Sequence, residues 1–297
     1  MSRLWPRRKI YFAVAVAGPT LAGHPRPAPV MSAAGFSVVP WLLTVTAHTP
    51  VGRAVGFIKS TGATGLKIYT DVPRDVVRNL AAEGHRQGLK VWGHAQVFPG
   101  KPSDLVDAGL DVISHSSLLA CEISIGPSCN HRAKTDSEPL MRLFADMRER
   151  GTVLEPTLAV QERVSIAGGA DPKRRDSAVT LDWGIGATRQ AHRLGVRIVA
   201  GSDLPLQSGP SLPCIHDEME LLVTRAGLTP LEAITAATRT GAEILGIDGS
   251  SGTVAIGKQA DIVILADDPS RDIRNTRRIV HVIKRGHLTA ASSAANQ

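Results

Sequence analysis

Aromatic residues make up only 4% of the 297 residues, cysteine occurs three times, and acidic and basic side chains are interspersed rather than segregated. No apolar run approaches the roughly 20 residues a bilayer-crossing helix requires, which excludes an integral membrane protein of that kind. The scarcity of aromatics also bears on the formal charge of +7. A basic chain can bind nucleic acid, but Arg7 to Lys9, Lys173 to Arg175 and Arg274 to Arg278 are scattered, with few rings to stack on bases and no recognisable binding motif. The charge reads as solvated surface, with neither nucleic acid nor membrane as partner. Cys121, Cys129 and Cys214 cannot all pair within one chain and none stands in a CxxC spacing, so a reducing, cytoplasmic compartment is the simpler expectation. The alternative is export. Met1 to Lys9 is basic and Ile10 to Gly23 is apolar with a small-residue end, like a signal peptide. Pro19 interrupts that stretch, and Ile10 to Val16 alternates bulky and small residues as a buried strand would, which favours a strand.

What is present is a repeating pattern. From about residue 41, short apolar or β-branched runs alternate with amphipathic stretches, the signature of parallel strands joined by crossover helices. Strands are predicted over Trp41 to Thr46, Thr64 to Tyr69, Lys90 to Ala95, Asp111 to Ser116, Thr152 to Leu158 and Arg197 to Asp203, and helices over Pro73 to Gln87, Ser137 to Arg150, Ile215 to Ala226 and Pro230 to Leu245. After Gly246 the texture changes to β segments at Gly252 to Asp267 and Arg278 to Leu288, and Thr289 to Gln297 reads as a fraying tail. The expected organisation is an α/β barrel domain over residues 1–246, a small β segment over 247–288 and the tail.

Four predicted strands end in a side chain able to bind metal: Lys67 in GLKIY, His94 in VWGHA, His115 in VISHS and Asp203 in VAGSD. In a parallel barrel all strand C-termini open on one face, so groups far apart in sequence converge there. Each alone has an ordinary reading: a strand histidine satisfying a backbone bond, a snorkelling lysine, an aspartate capping the next helix. Four such coincidences at equivalent ends are a stronger signal than any one.

The order Lys, His, His, Asp resembles the amidohydrolase superfamily, in its imidazolonepropionase-like and prolidase-like branch. GATGLKIY, EGHRQGLKVWGHA, DAGLDVISHS, GVRIVAGSD, HDEMELLVTRAGLTPLEAITAAT and GKQADIVILADDP all look like that family. The resemblance runs from about Gly35 to Leu288. It implies a (β/α)8 TIM-type barrel with a small C-terminal β appendage, one or two divalent metal ions, usually zinc, and metal-activated water cleaving a C–N bond (amide, cyclic amide or amidine) of a small molecule. Lys67 matches the lysine that carries a CO2-derived carbamate, which only an uncharged amine can form. His94 and His115 match ligands of one metal, and Asp203 the carboxylate that binds metal and moves the proton. Tyr69 and His216, with Glu218, are candidates for substrate contact, against the alternatives of a packed tyrosine and a solvated helix start. Glu155 is ambiguous, and Cys121 and Cys129 flank a loop without a zinc pattern.

One family feature is missing. The first barrel strand should carry an HxH pair, yet His24 stands alone before Pro25 and His48 alone in TAHTP. The β segment that precedes the barrel and pairs with the tail is also missing. A barrel incomplete at its N-terminus is therefore expected, by truncation, misplaced start or divergence, and with it exposed strand edges, poor stability as an isolated monomer and room for a homo-oligomer. A catalytically inactive remnant is the alternative to a working hydrolase.

Overall fold

The computed structural model describes residues 11–18, 42–124, 128–168, 176–204 and 213–289. Six strands form one parallel sheet: β1 (Ala13–Ala17), β2 (Leu42–Thr44), β3 (Gly65–Ile68), β4 (Lys90–His94), β5 (Val112–Ser114) and β6 (Val153–Glu155), in the order β2-β1-β3-β4-β5-β6. The Ile10 to Val16 run is thus a strand at Ala13–Ala17, paired on both sides. Residues 1–10 and 19–41, including His24, lie outside the described residues, as does the tail from 290 onward.

Parallel strands are covered on both faces, which is why these runs are almost uninterruptedly apolar. One face carries Val14, Val16, Leu66, Ile68, Val91, Ile113 and Leu154 into the main core, beneath the crossover helices. Helix α1 (Val51–Ser60) follows β2, and α2 (Arg74–Arg86) lies between β3 and β4. It buries Val76, Val77, Leu80 and Ala81, with Asp75 in its first turn and His85 and Arg86 in its last, each sign where the helix dipole favours it. Gly84 lets this helix sit close, since a Cβ there would stand 2.9 Å from Val91 and 3.0 Å from Leu66. Helix α3 (Pro102–Asp107) precedes β5, and α4 (Glu138–Arg150) buries Leu140, Leu143, Phe144 and Met147 before ending on Gly151 at φ 74°.

Beyond β6 the structure departs from expectation. β6 stops at Glu155 because Pro156 cannot continue the ladder and Thr157 turns to φ 56°. Helices α5 (Leu158–Gly168) and α6 (Asp176–Arg193), neither anticipated, follow. The predicted strand Arg197 to Asp203 is reduced to one parallel bridge, Ile198 to Leu154, with Leu154 N–H donating to Arg197 and Val199 N–H to Leu154. α7 (Ile215–Thr224) forms as expected, but Pro230 to Leu245 is two helices, α8 (Pro230–Ala237) and α9 (Arg239–Leu245), because Thr238 leaves helical geometry at φ −128°, ψ −81°.

The C-terminal part is a separate antiparallel sheet of β7 (Ile262–Leu265), β8 (Ile279–Lys284) and β9 (His287–Thr289), a shorter β content than the predicted Gly252 to Asp267. It exposes Val263, Val280, Val282 and Leu288. The 3-10 turn Ile273–Arg277 links it to the main body: Arg277 pairs with Asp217 and Glu220 of α7. Cys121 and Cys129 are joined as a disulfide, and Cys214 is the free thiol, so unpaired thiols no longer argue for a reducing compartment. No helix among the described residues is long and apolar enough to cross a membrane.

Candidate active site

The opposite face of the sheet is built by the same alternation. Its lower level is apolar apart from Lys67, with Trp92, Val112, Val153 and Val199 packed together. One step toward the strand C-termini the chemistry changes. Register aligns Ile68 with Gly93, Gly93 with Ile113 and Ile113 with Leu154, so the next residues, Tyr69, His94, Ser114 and Glu155, form a polar row across four adjacent strands. Tyr69 and His94 stack with ring centroids 5.0 Å apart, and Ser114 donates to Glu155 at 2.5 Å. Lys67 sits one level below, its Nζ 5.7 Å from the Tyr69 ring.

His115 lies just past β5 with φ 77°, a left-handed conformation that carries its ring edge-on to His94, centroids 4.7 Å apart. The turn after β6 holds it: His115 N–H donates to the Glu155 carbonyl at 2.8 Å, Ser116 N–H to that of Pro156 at 3.1 Å, and His115 Nδ1 lies 2.9 Å from Thr157 Oγ1. His94 Nδ1 is 3.3 Å from the Gln96 carbonyl, so it carries the proton. For both rings Nε2 has no hydrogen-bond partner among the described residues.

Both imidazoles are neutral at ordinary pH. Burial pushes His94 down to about 4, with Lys67 adding to the fall against an opposing bond to Gln96. Burial, then the charge His94 carries when protonated and that of Lys67, holds His115 well below the usual range. Asp203, at φ 51°, is open to solvent on one side, but crowding of its carboxyl raises its pKa, opposed by Lys67. Tyr69 is raised by burial and by the charges of Asp203 and Glu155.

His94, His115 and Asp203 line one cleft of about 330 Å3 with Ser117, Leu118, Val160, Gln161, Val164 and Thr180. Lys67, Tyr69, His94, His115 and Asp203 therefore gather at one end of the sheet. His216 does not: it is 8% exposed, bonds Thr276 through Nδ1 at 3.0 Å, and belongs to the junction with the C-terminal segment. Glu218 is not at a solvated helix start but fully buried. His48 is exposed in a turn. Ser114 and Glu155 join the polar row without a signal in the sequence, since only the strand register sets them level with His94.

Two neutral imidazoles with free Nε2 atoms are a donor pair suited to a zinc-like divalent cation, and Asp203 supplies an oxygen at the same mouth. Among the described residues no three His, Cys, Asp or Glu groups stand close enough together to form a cage unaided. The fit is thus to a two-histidine half-site, with the Asp203 carboxyl at the same cleft.

Residues 59–289 match the Amidohydrolase family. The chain belongs to that family. The ochratoxinase of Aspergillus niger is 31% identical over 169 residues, 54% of this chain and 33% of the relative, and an imidazolonepropionase of Rubrobacter xylanophilus is 38% identical over 80 residues, 27% of this chain and 17% of the relative. Among solved structures, a Xaa-Pro dipeptidase with bound methionine in the active site superposes with TM-score 0.71 at 24% identity, covering 93% of this chain and 66% of that one. Crystalline A. niger ochratoxinase gives 0.73 at 22% identity, covering 95% and 65%. The chain spans a third of the length of the curated ochratoxinase it matches. The parallel sheet is accordingly that of a TIM-type amidohydrolase barrel, with the antiparallel sheet as its small C-terminal appendage.

Proposed function

We propose that this amidohydrolase cleaves a C–N bond of a small molecule, an amide, cyclic amide or amidine, including that of a dipeptide. The observation that carries the reading is that His94, His115 and Asp203 line one cleft, with the Lys67 charge close enough to act on all three. His94 and His115 would hold a divalent cation, zinc for preference, with Asp203 and a carbamylated Lys67 completing the set. Such a cation supplies Lewis acidity and a lowered water pKa. The chain's own residues do the rest. Asp203, its affinity for protons raised by its surroundings, accepts the proton of the attacking water and delivers it to the leaving nitrogen. Tyr69 steadies His94 by stacking. Leu118, Val160 and Val164 present an apolar wall that takes the non-reacting part of the substrate and excludes water.

An inactive amidohydrolase-like chain is favoured by one observation, the lack of a ready three-ligand cage among the described residues. Metal analysis of the purified protein separates the two. The hydrolase reading expects bound zinc that is lost in His94→Ala/His115→Ala and reduced in Lys67→Ala, together with turnover of N-acyl amides, cyclic amides or dipeptides. A parent protein free of metal after zinc loading, with no turnover, would overturn it.

A further inference from the structure

α7 packs its Glu218 against the turn that follows β6. The side chain is 0% exposed; its Oε2 accepts from Ala159 N–H at 2.7 Å, while Oε1 has no hydrogen-bond partner among the described residues. The amides of Leu158 and Thr157 also face this carboxyl. It therefore sits on the unsatisfied N–H groups that open α5, a cap supplied from 59 residues further along the chain. The capped turn has two dependants. Backward, Thr157, held at φ 56°, places Oγ1 2.9 Å from His115 Nδ1. Forward, the first two turns of α5 carry Val160, Gln161 and Val164 into the cleft, where Gln161 reaches Ser117.

Thr157 is β-branched, and such residues hold a left-handed conformation only where their surroundings impose it. On the β5 side the turn is tied by His115 N–H to the Glu155 carbonyl and Ser116 N–H to the Pro156 carbonyl, and Pro156 itself offers no N–H. On the other side it is tied by Ala159 N–H to the acid on α7. An acid with one oxygen bonded and the other left bare is costly to bury and would be replaced by an apolar residue if it served packing alone.

We propose that Glu218 is a positioning residue: by fixing the turn Glu155 to Ala159 it sets, through Thr157, the ring orientation of His115, and through the start of α5 the wall of the cleft. This rests on the hydrolase reading only in giving His115 its task.

The test uses Glu218→Ala, Glu218→Gln and, as a control, Leu222→Ala, which removes a fully buried side chain from the same helix. His115 ring nitrogens are followed by long-range 1H–15N correlation in metal-free protein, and Co(II) alone is titrated by absorbance. Glu218→Ala is expected to shift the His115 ring signals and to weaken Co(II) binding about tenfold, as loss of groups supporting a ligand typically does. Glu218→Gln, which keeps the acceptor for Ala159, is expected to restore both, and Leu222→Ala to leave the ring signals in place. If Glu218→Ala does not fold, Glu218→Asp replaces it, withdrawing the acid from Ala159 by one methylene, and is expected to move the ring signals. His115 signals unchanged in a folded Ala or Asp variant, or moved as far by Leu222→Ala, would overturn the proposal. Failure of the parent to bind Co(II) would instead count against the metal-hydrolase reading, and the ring signals would still decide the positioning role.

Discussion

Replacing Glu218 by Gln perturbs the stability of the protein in a way that depends on pH, and the structure fixes the sign. Burial pushes the Glu218 pKa from 4.5 to about 8, against the lowering effect of the Ala159, Leu158 and Thr157 amides. Between those two values the folded chain keeps a proton that the unfolded chain releases. Stability attached to this group is therefore complete below pH 4.5, falls as pH rises, and levels off above about 8. From pH 6.5 to 8.5 the loss is roughly 2 kcal/mol, at about 1.4 kcal/mol per unit over the part of the window below the folded pKa. That is a large share of the roughly 5–15 kcal/mol that holds a typical domain together. Gln is isosteric with the protonated acid and does not titrate. The stability gap between Glu218→Gln and the parent, measured by urea unfolding at pH 6.5, 7.5 and 8.5, should therefore move by about 2 kcal/mol in favour of the Gln protein as pH rises. Using the gap cancels every other titrating group, including His94 and His115, whose depressed pKa values act below this window. A gap that stays constant across the three pH values would refute the reasoning, because it would mean that Glu218 is ionised when folded.

Two further outcomes follow from close contacts elsewhere. A Cβ on Gly201 would stand 2.2 Å from Glu155 Oε1, so Gly201→Ala should cost about 1–3 kcal/mol in denaturant melts, and most of that cost should vanish in the double variant with Glu155→Ala. The Cys121–Cys129 bond closes a short loop beside Ser117 and Leu118; Cys121→Ser should cost roughly 2–3 kcal/mol, and under denaturing conditions alkylation should label only Cys214 until the protein is reduced.

Much of this architecture was legible because parallel strands advertise themselves. A strand covered on both faces must be apolar throughout, so the polar residue that ends each run, Lys67, His94 or His115, marks the point where the sheet opens. What the sequence does not print is register. Ser114 and Glu155 fall into the polar row beside the cleft only when pairing sets them level with His94, and no local feature of VIS or VLE reveals that. Arg197 to Asp203 looked like a strand on propensity, but only Ile198 pairs; the chain then turns away at Gly201, where Glu155 occupies the space a side chain would need. Glu218 was misread for a different reason. HDEME is a polar run, and polarity at a helix start ordinarily means solvent and a favourable dipole. Yet Glu218 precedes Leu221 and Leu222 by three and four residues, which places it on the buried stripe of α7, and that spacing was visible.

The strain in the backbone ties these observations together. Among the described residues, non-glycine positions with positive φ are Asp71, His115, Thr157, Asp203 and Arg285, and His115 and Asp203 line the cleft while Thr157 bonds His115. Each such residue costs about 1–3 kcal/mol and persists only where its surroundings over-determine it. For His115 those surroundings are the carbonyl of Glu155 and the hydroxyl of Thr157; for Thr157 they are the capped turn and Glu218. Relaxing His115 to an extended conformation would continue β5 and return its ring to the face of the sheet opposite His94, where strand alternation puts the core. The strained turn is what brings the second imidazole to the first, so the conformational cost is the means by which two residues on neighbouring strands come to share one site.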